Sequence, residues 1–138
     1  MKVLFVCTGN VGRSQIAETL FKKMSNHEVA SAGTKVYEHE GQKIKELPLA
    51  KEVIDSLKEE GFDVSENQRN QVTPEMIKNF DKIILMTEPE NTPNFLKGNK
   101  KVIYWEIEDP KGKSLEEHKK LVKHIKGLIK YFIKRNSL

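Results

Sequence analysis

Residues 2–18 read Lys2-Val-Leu-Phe-Val-Cys7-Thr-Gly-Asn-Val-Gly-Arg13-Ser-Gln-Ile-Ala-Glu18 and contain the only cysteine of the chain. Val3 to Val6 form a continuous apolar run without alternation, which is typical of a strand buried on both faces of a parallel sheet. The glycines and the asparagine after Cys7 supply backbone positions suited to a tight turn. From Arg13 onward, apolar residues recur at helical spacing. The stretch therefore predicts a strand, a loop and a helix, in that order.

The predicted loop has the composition of an anion-binding site. Loop amides and the first free N–H groups of a helix form a concave set of donors, with the positive end of the helix dipole behind them. Cys7 lies at the edge of this loop, where a thiol is expected to ionise readily, and the thiolate is the nucleophilic form. Arg13 is placed to hold two oxygens of a phosphoryl group. Ser14 is expected to donate a hydrogen bond to the sulfur.

The spacing of Cys7 and Arg13 is a weak signal by itself. The simpler interpretation is a buried cysteine at a strand end and an arginine at a helix start in an ordinary α/β protein. The preceding strand, the glycine-rich turn, the serine after Arg13 and the following helix all agree with the anion site instead. The combination favours a phosphate-binding loop with a cysteine nucleophile.

The run Cys7-Thr-Gly-Asn-Val-Gly-Arg13-Ser14, followed by Ala17-Glu18, resembles the phosphate-binding loop of the low-molecular-weight protein tyrosine phosphatases and of their relatives, the thioredoxin-coupled arsenate reductases. The resemblance covers nearly the whole chain. It implies that Cys7 and Arg13 are catalytic and that substrate contacts come from the rest of the loop, namely Thr8, Gly9, Asn10, Val11, Gly12 and Ser14. Family members usually carry proline after the serine and often cysteine before the arginine, where this chain has Gln15 and Gly12.

The chain is expected to form one domain, residues 1–138, because this length suits a single sheet covered by helices. No apolar stretch approaches the ~18 residues of a membrane span, so we expect a cytoplasmic protein with no membrane partner.

The formal net charge is +4, which suits an enzyme acting on anions and also a nucleic-acid binder. Lysine-rich helix surfaces account for that charge, and no nucleic-acid partner is expected. The histidines lack metal-ligand spacing, so neither a metal nor a cofactor is expected.

Strands alternate with helices along the rest of the chain. Further strands are expected at residues 27–32, 81–86 and 101–105, with helices over residues 49–61, from Pro74 (capped by Thr73) and from Ser114 to the end. This pattern predicts an α/β fold, a three-layer doubly wound domain with a four-stranded parallel sheet and helices on both faces. The resemblance implies the strand order 2-1-3-4. Ser114 and Glu117 have the spacing of a capping box.

Asp109-Pro110 follows the last expected strand. The family uses an aspartate followed by proline in this loop, so the resemblance implies that Asp109 is the general acid that protonates the leaving group. The alternatives are Glu108 as the acid, or Asp-Pro serving only as a turn. The family often continues with tyrosines that flank the cleft, whereas this chain has Lys111-Gly112, so the substrate class stays open.

Other loop residues are assigned more weakly. The resemblance places residues 34–48 at one wall of the cleft, with Tyr37 as the aromatic side chain against a substrate ring. A surface tyrosine on a loop is an equal alternative. Glu88 and Asn91 follow the third strand. They are expected either to order the neighbouring loops or to cap the next turn. Arg69 is assigned no catalytic role.

The most direct functional prediction is phosphomonoester hydrolysis of the protein tyrosine phosphate type, through a cysteinyl-phosphate intermediate. The substrate is then a phosphorylated protein or a small phosphoester. The first alternative is arsenate reduction, which needs an external thiol because the chain has no second cysteine. The second is a non-catalytic oxyanion-binding or phosphocarrier module. Arg13 and Asp109 count against the last, because a phosphocarrier needs no general acid.

Overall fold

The computed structural model describes all residues from Met1 to Leu138. Its strands are β1 (Lys2–Cys7), β2 (Glu28–Gly33), β3 (Lys82–Leu85) and β4 (Val102–Tyr104), and its helices are α1 (Arg13–Met24), α2 (Lys51–Lys58), α3 (Pro74–Ile77) and α4 (Leu115–Arg135). Each expected strand and helix is present, with ends shifted by up to three residues. Residues 34–50, which carry no clear periodicity, contain three single turns of 3₁₀ helix. No helix combines the length and apolar character needed to cross a membrane.

The four strands form one parallel sheet in the order β2-β1-β3-β4, as the sequence predicts. β1 lies in the centre, with Cys7 beside Gly33 of β2 and Val6 beside Leu85 of β3. Because parallel strands all end at the same edge, the loops after β1, β3 and β4 converge there. The fold therefore brings the loop after Cys7 close to residues 86–92 and 105–114.

The two faces of the sheet are covered unequally. Val3, Phe5 and Cys7 point to the larger core, which α1, α2 and α4 cover. Leu4 and Val6 point to the smaller core on the other face, where α3 and Leu96 pack. Side chains of β1 are thus buried on both faces, which explains its uninterrupted apolar run.

Two helices begin with the side-chain caps that the sequence predicts. Thr73 Oγ1 accepts a hydrogen bond from the Met76 amide at 3.1 Å, and Ser114 forms the expected capping box with Glu117. By contrast, α1 begins after Gly12 with no side-chain cap and has no acidic residue in its first turn. The N-terminal amides of α1 are therefore left for another acceptor.

Gly33, at the end of β2, fixes the distance between β2 and the loop after Cys7. A Cβ atom built on Gly33 would lie 2.7 Å from the Thr8 carbonyl oxygen and 2.9 Å from the Asn10 amide nitrogen. Both neighbours are backbone atoms, so neither can move aside without shifting the loop. The Thr34 and Lys35 amides also donate to the carbonyls of Cys7 and Thr8, at 3.0 and 2.9 Å.

The substitution Gly33→Ala is expected to lower the free energy of unfolding by about 2 kcal/mol, because overpacking forces the backbone apart. The matched control is Gly127→Ala in α4, where a Cβ meets nothing within 4 Å. That change is expected to stabilise the protein by about 0.5–1 kcal/mol through helix propensity. Urea denaturation of the two variants measures both effects. Equal stability of the two variants would contradict the close packing at Gly33.

Candidate active site

Asn10 is the central residue of the loop between β1 and α1. Its φ of +55° is in the left-handed region, and its side chain is fully buried. The side-chain amide donates to Ser14 Oγ at 2.7 Å and to Ser31 Oγ at 3.0 Å, and its carbonyl oxygen accepts from the Asn70 amide at 2.8 Å. These bonds tie the loop to α1, to β2 and to residues 67–71. Asn10 thus shapes the loop from behind rather than lining the cleft.

Cys7 ends β1 on the face covered by α1, with 2% of its surface exposed. Its Sγ lies 3.0 Å from Ser14 Oγ. Because the Asn10 amide is a donor, Ser14 must accept that bond, and its own hydroxyl hydrogen is free to donate to the sulfur.

The backbone amides that follow Cys7 are unpaired in the loop where the sequence predicts an anion site. None of the N–H groups from Thr8 to Gln15 donates a hydrogen bond within the protein. A run of unpaired backbone donors is costly unless an acceptor occupies the space before them. The dipole of the 12-residue helix α1 points its positive end toward the same place. We call residues 8–14 the phosphate loop.

Arg13 is almost fully buried, and its guanidinium is fixed along one edge. Nη1 donates to the carbonyl oxygens of Met86 (2.7 Å) and Ile107 (2.9 Å) and to Glu88 Oε2 (2.8 Å). Nη2 lies 3.4 Å from Glu88 Oε1 and 3.9 Å from Asp109 Oδ2. Nε has no partner in the protein. The Nε–Nη2 edge is therefore available to two oxygens of a bound oxyanion.

Glu88 is the counter-ion of Arg13. Burial alone raises the pKa of Glu88, but the hydrogen bond and the charge of Arg13 outweigh burial and hold that pKa below its ordinary value. For Arg13 burial has the opposite effect and lowers the pKa. The neighbouring Glu88, Cys7 and Asp109 outweigh burial and hold the pKa of Arg13 above its ordinary value. Both groups are thus charged near neutral pH. Glu88 also accepts a hydrogen bond from Thr8 Oγ1 at 3.2 Å, so it links the loop after β3 to the phosphate loop.

Asp109 lies on the opposite side of the cleft, in the loop after β4. Its carboxylate is about half exposed, and Oδ1 accepts from the Lys111 amide at 3.0 Å. Pro110 is buried, and its Cγ would lie only 3.1 Å from a Cβ added to Gly12. Gly12, which stands where the family often has cysteine, therefore lets the Asp-Pro loop pack directly on the phosphate loop. Glu108 instead pairs with Lys113 at 3.1 Å and does not line the cleft.

The cleft above Cys7 has a volume of about 180 Å³. Pockets for drug-sized ligands usually measure ~300–1,000 Å³, so this one suits a phosphoryl group with a single side chain or small organic group. Its apolar wall has no aromatic side chain and is formed by Val11, Leu47, Leu49, Val53 and Pro110. Its polar lining comprises Cys7, Arg13, Arg69, Asp109, Lys111 and His118, and the glycines 9 and 12 complete it.

Tyr37, expected from the sequence at the substrate, lies outside this cleft. Its side chain is 59% exposed and its φ is +52°. The backbone amides of Val36 and Tyr37 both donate to Gln71 Oε1 at 2.7 Å, which anchors this turn away from Cys7. Leu47, which is within the residues 34–48 expected to form this wall, lines the cleft together with Leu49, and Tyr37 has the surface position that was its alternative.

Three further residues in or beside the cleft make contacts that were not predicted from the sequence. Arg69 donates from Nε to the Gly9 carbonyl at 3.0 Å and lines the cleft. His118 is buried at the start of α4, with Nδ1 bonded to the Ser114 carbonyl at 2.8 Å. Gln15 bonds the carbonyls of Asn10 and Gln68, at 3.1 and 3.2 Å, and so joins the phosphate loop to residues 67–71. Of these contacts, only that of His118 could be anticipated from the sequence, because His118 follows the predicted helix cap Ser114 by four residues.

Comparison with known proteins agrees with this geometry. A family model described as low molecular weight phosphotyrosine protein phosphatase matches residues 2–137. Arsenate reductase 2 of Staphylococcus haemolyticus is 29% identical over 133 residues, covering 94% of this chain and 94% of that protein.

Solved structures give the same result. The low molecular weight protein tyrosine phosphatase from T. tengcongensis is similar with a TM-score of 0.80 and 29% identity, covering 98% of this chain and 99% of that one. The arginine phosphatase from Geobacillus stearothermophilus is similar with a TM-score of 0.74 and 25% identity, covering 99% and 92%. Because the family model matches nearly every residue, the chain belongs to the low molecular weight phosphotyrosine protein phosphatase family.

Proposed function

We propose that this protein hydrolyses phosphomonoesters through a phosphorylated Cys7. The observation that carries the proposal is the run of unpaired amides from Thr8 to Gln15 around a cysteine that shares its cleft with Arg13 and Asp109. The amides and the free edge of Arg13 bind the three non-bridging oxygens of the phosphoryl group. That arrangement places phosphorus against the sulfur of Cys7.

In the first step, the Cys7 thiolate attacks phosphorus and the bond between phosphorus and the ester oxygen breaks. Asp109, protonated at this stage, gives its proton to the departing oxygen. The negative charge that develops on the non-bridging oxygens is balanced by Arg13 and the amides of the phosphate loop. The products of this step are a free alcohol or phenol and a cysteinyl-phosphate.

In the second step, water attacks the same phosphorus and the sulfur–phosphorus bond breaks. Asp109, now a carboxylate, removes a proton from that water, and inorganic phosphate and the Cys7 thiolate are formed. The Ser14 hydroxyl stabilises the thiolate both before attack and as a leaving group. The cycle needs no oxidant, and it returns every group to its starting state.

The proposed substrates are phosphorylated protein side chains or small phosphoesters. The size of the cleft and its aliphatic wall support a single phosphorylated side chain, with phosphotyrosine as the first candidate. Similarity to an arginine phosphatase makes phosphoarginine the second side chain to compare. Both offer a flat group that Leu47, Leu49 and Val53 can contact on its faces.

Arsenate reduction is the second candidate function, favoured by the similarity to arsenate reductases. Arsenate has the shape of phosphate, so the same loop can bind it and form a Cys7–arsenic bond with loss of water. Release of arsenite then requires a thiol to attack the sulfur and take the oxidising equivalents as a disulfide. Cys7 is the only cysteine, so that thiol must come from outside the chain.

A steady-state assay with para-nitrophenyl phosphate separates these functions. We expect phosphate release by the wild type and arsenate acting as a competitive inhibitor. Cys7→Ser is expected to lower kcat by on the order of 10³-fold or more without changing the melting temperature by more than a few degrees. Arsenite formed with glutathione or thioredoxin, without any aryl phosphate hydrolysis, would overturn the phosphatase assignment and favour the reductase.

Asp109→Asn is expected to lower kcat/KM, which reports the first chemical step, by about 10²–10³-fold with phenyl phosphate and much less with para-nitrophenyl phosphate. The reason is that nitrophenolate leaves without a proton, whereas phenolate needs one. The matched control is Glu108→Gln, on the neighbouring carboxylate that points to Lys113. If Glu108→Gln gave the larger loss, Glu108 would be the acid in place of Asp109.

Glu88→Gln is expected to destabilise the protein by about 2 kcal/mol at neutral pH, because it leaves the buried Arg13 without its counter-ion. The folded pKa of Glu88 lies below the unfolded value near 4.5. The ion pair therefore contributes fully above that value, and its contribution is lost as the pH falls through the folded pKa.

Thermal or urea unfolding as a function of pH measures this effect. The stability difference between wild type and Glu88→Gln is expected to be constant above pH ~5 and to shrink in acid. Glu90→Gln, on an exposed glutamate of the same turn with no ion-pair partner, is the control and is expected to change little. A difference that did not vary with pH would exclude the ion pair as its cause.

A further inference from the structure

Arg69 is a second guanidinium in the active-site cleft, on a loop remote from Arg13 in sequence. Nε donates to the Gly9 carbonyl at 3.0 Å and Nη1 donates to Gln42 Oε1 at 2.8 Å. Both acceptors are neutral. Nη2 has no partner in the protein and lies 3.9 Å from the Cβ position of Gly9, which is part of the phosphate loop. The side chain is thus fixed at two nitrogens while the third is directed at the loop.

The charge of Arg69 is not balanced by any carboxylate. Arg13 has Glu88 at 2.8 Å and Asp109 at 3.9 Å, whereas no acidic side chain lies within 4 Å of Arg69. Burial lowers the pKa of Arg69, and Cys7 is the one group whose charge opposes this effect. A partly buried cation without a counter-ion is costly to maintain, and an anion in the cleft would remove that cost.

The remaining lining of the cleft fits the same conclusion. Lys111 also lines it and pairs with no carboxylate, although its exposed side chain is free to move. Asp109 is the only acidic residue of the lining. Arg69 and Lys111 are therefore the lysine and arginine side chains of the lining that lack a carboxylate partner, whereas Arg13 is paired with Glu88.

We propose that Arg69 binds a second anionic group of the substrate, next to the phosphoryl group that the phosphate loop holds. The substrate is then one of the proposed phosphorylated side chains or small phosphoesters that also carries a carboxylate or a further phosphate close to the phosphoryl group. Arg69 is a specificity-determining residue in this proposal. The inference deepens the proposed function and rests on the same oxyanion site.

Two non-hydrolysable probes test the proposal by calorimetry. Methylphosphonate carries one phosphonate group, and methylenediphosphonate carries two. We expect the wild type to bind the diphosphonate about tenfold more tightly, and Arg69→Met to remove that preference while changing the methylphosphonate affinity by less than about twofold. Arg135→Met, the same change at an exposed arginine of α4, is expected to alter neither affinity.

Gln42→Ala distinguishes charge from loop structure, because it removes one hydrogen bond of Arg69 and keeps the guanidinium. We expect it to retain the preference for the diphosphonate. Equal binding of both probes by the wild type would overturn the proposal. So would an equal loss of both affinities in Arg69→Met, or a loss of preference in Gln42→Ala as large as in Arg69→Met. Binding is measured without turnover, so a lack of phosphatase activity would refute the proposed reaction and leave this comparison valid.

Discussion

The side-chain hydrogen bonds of Asn10 are the constraint on which the active site depends. One amide group reaches Ser14 on α1, Ser31 on β2 and the backbone of Asn70, so it fixes the phosphate loop to three parts of the fold at once. The left-handed backbone at Asn10 turns the amides of the loop toward one side. By occupying the Ser14 oxygen, Asn10 also directs the serine hydroxyl to Cys7. The proposed nucleophile and the proposed oxyanion site are thus held by the same side chain.

The partners of Arg13 leave one edge of its guanidinium free on the side of the cleft. Two main-chain carbonyls and Glu88 hold the other edge, and these partners come from the loops after β3 and β4. The same convergence brings Asp109 to the cleft, where Pro110 rests against Gly12. A side chain at position 12 would require the Pro110 ring to shift by a few tenths of an ångström. The parallel sheet therefore determines the site, because its strands all end beside Cys7.

Much of the fold was predictable from the sequence, because apolar runs, caps and the glycine-rich turn are local signals. The strand order came from family resemblance and is confirmed. The placement of Cys7 and Arg13 was expected from the pattern of strand, loop and helix, and that of Asp109 from the family resemblance; all three line one cleft. Arg69 and Tyr37 lie on segments without periodicity, whose course depends on bonds made by side chains such as Gln71 and Gln42. These contacts join residues 27 to 35 positions apart, so they leave no pattern in the sequence. The place of Arg69 in the cleft was not predicted, and Tyr37 has the surface position that was the alternative to a place at the substrate.

Rapid acid quench followed by mass spectrometry tests whether the sulfur of Cys7 accepts the phosphoryl group, as we propose. The assay uses para-nitrophenyl phosphate, whose leaving group needs no proton, with the Asp109→Asn variant, in which breakdown of the intermediate is expected to be slow. We expect a peptide containing Cys7 that carries one phosphoryl group, formed at the rate of the first burst of nitrophenol. Nitrophenol release with phosphate transferred straight to water, and no modified Cys7 peptide at any time, would contradict the proposal.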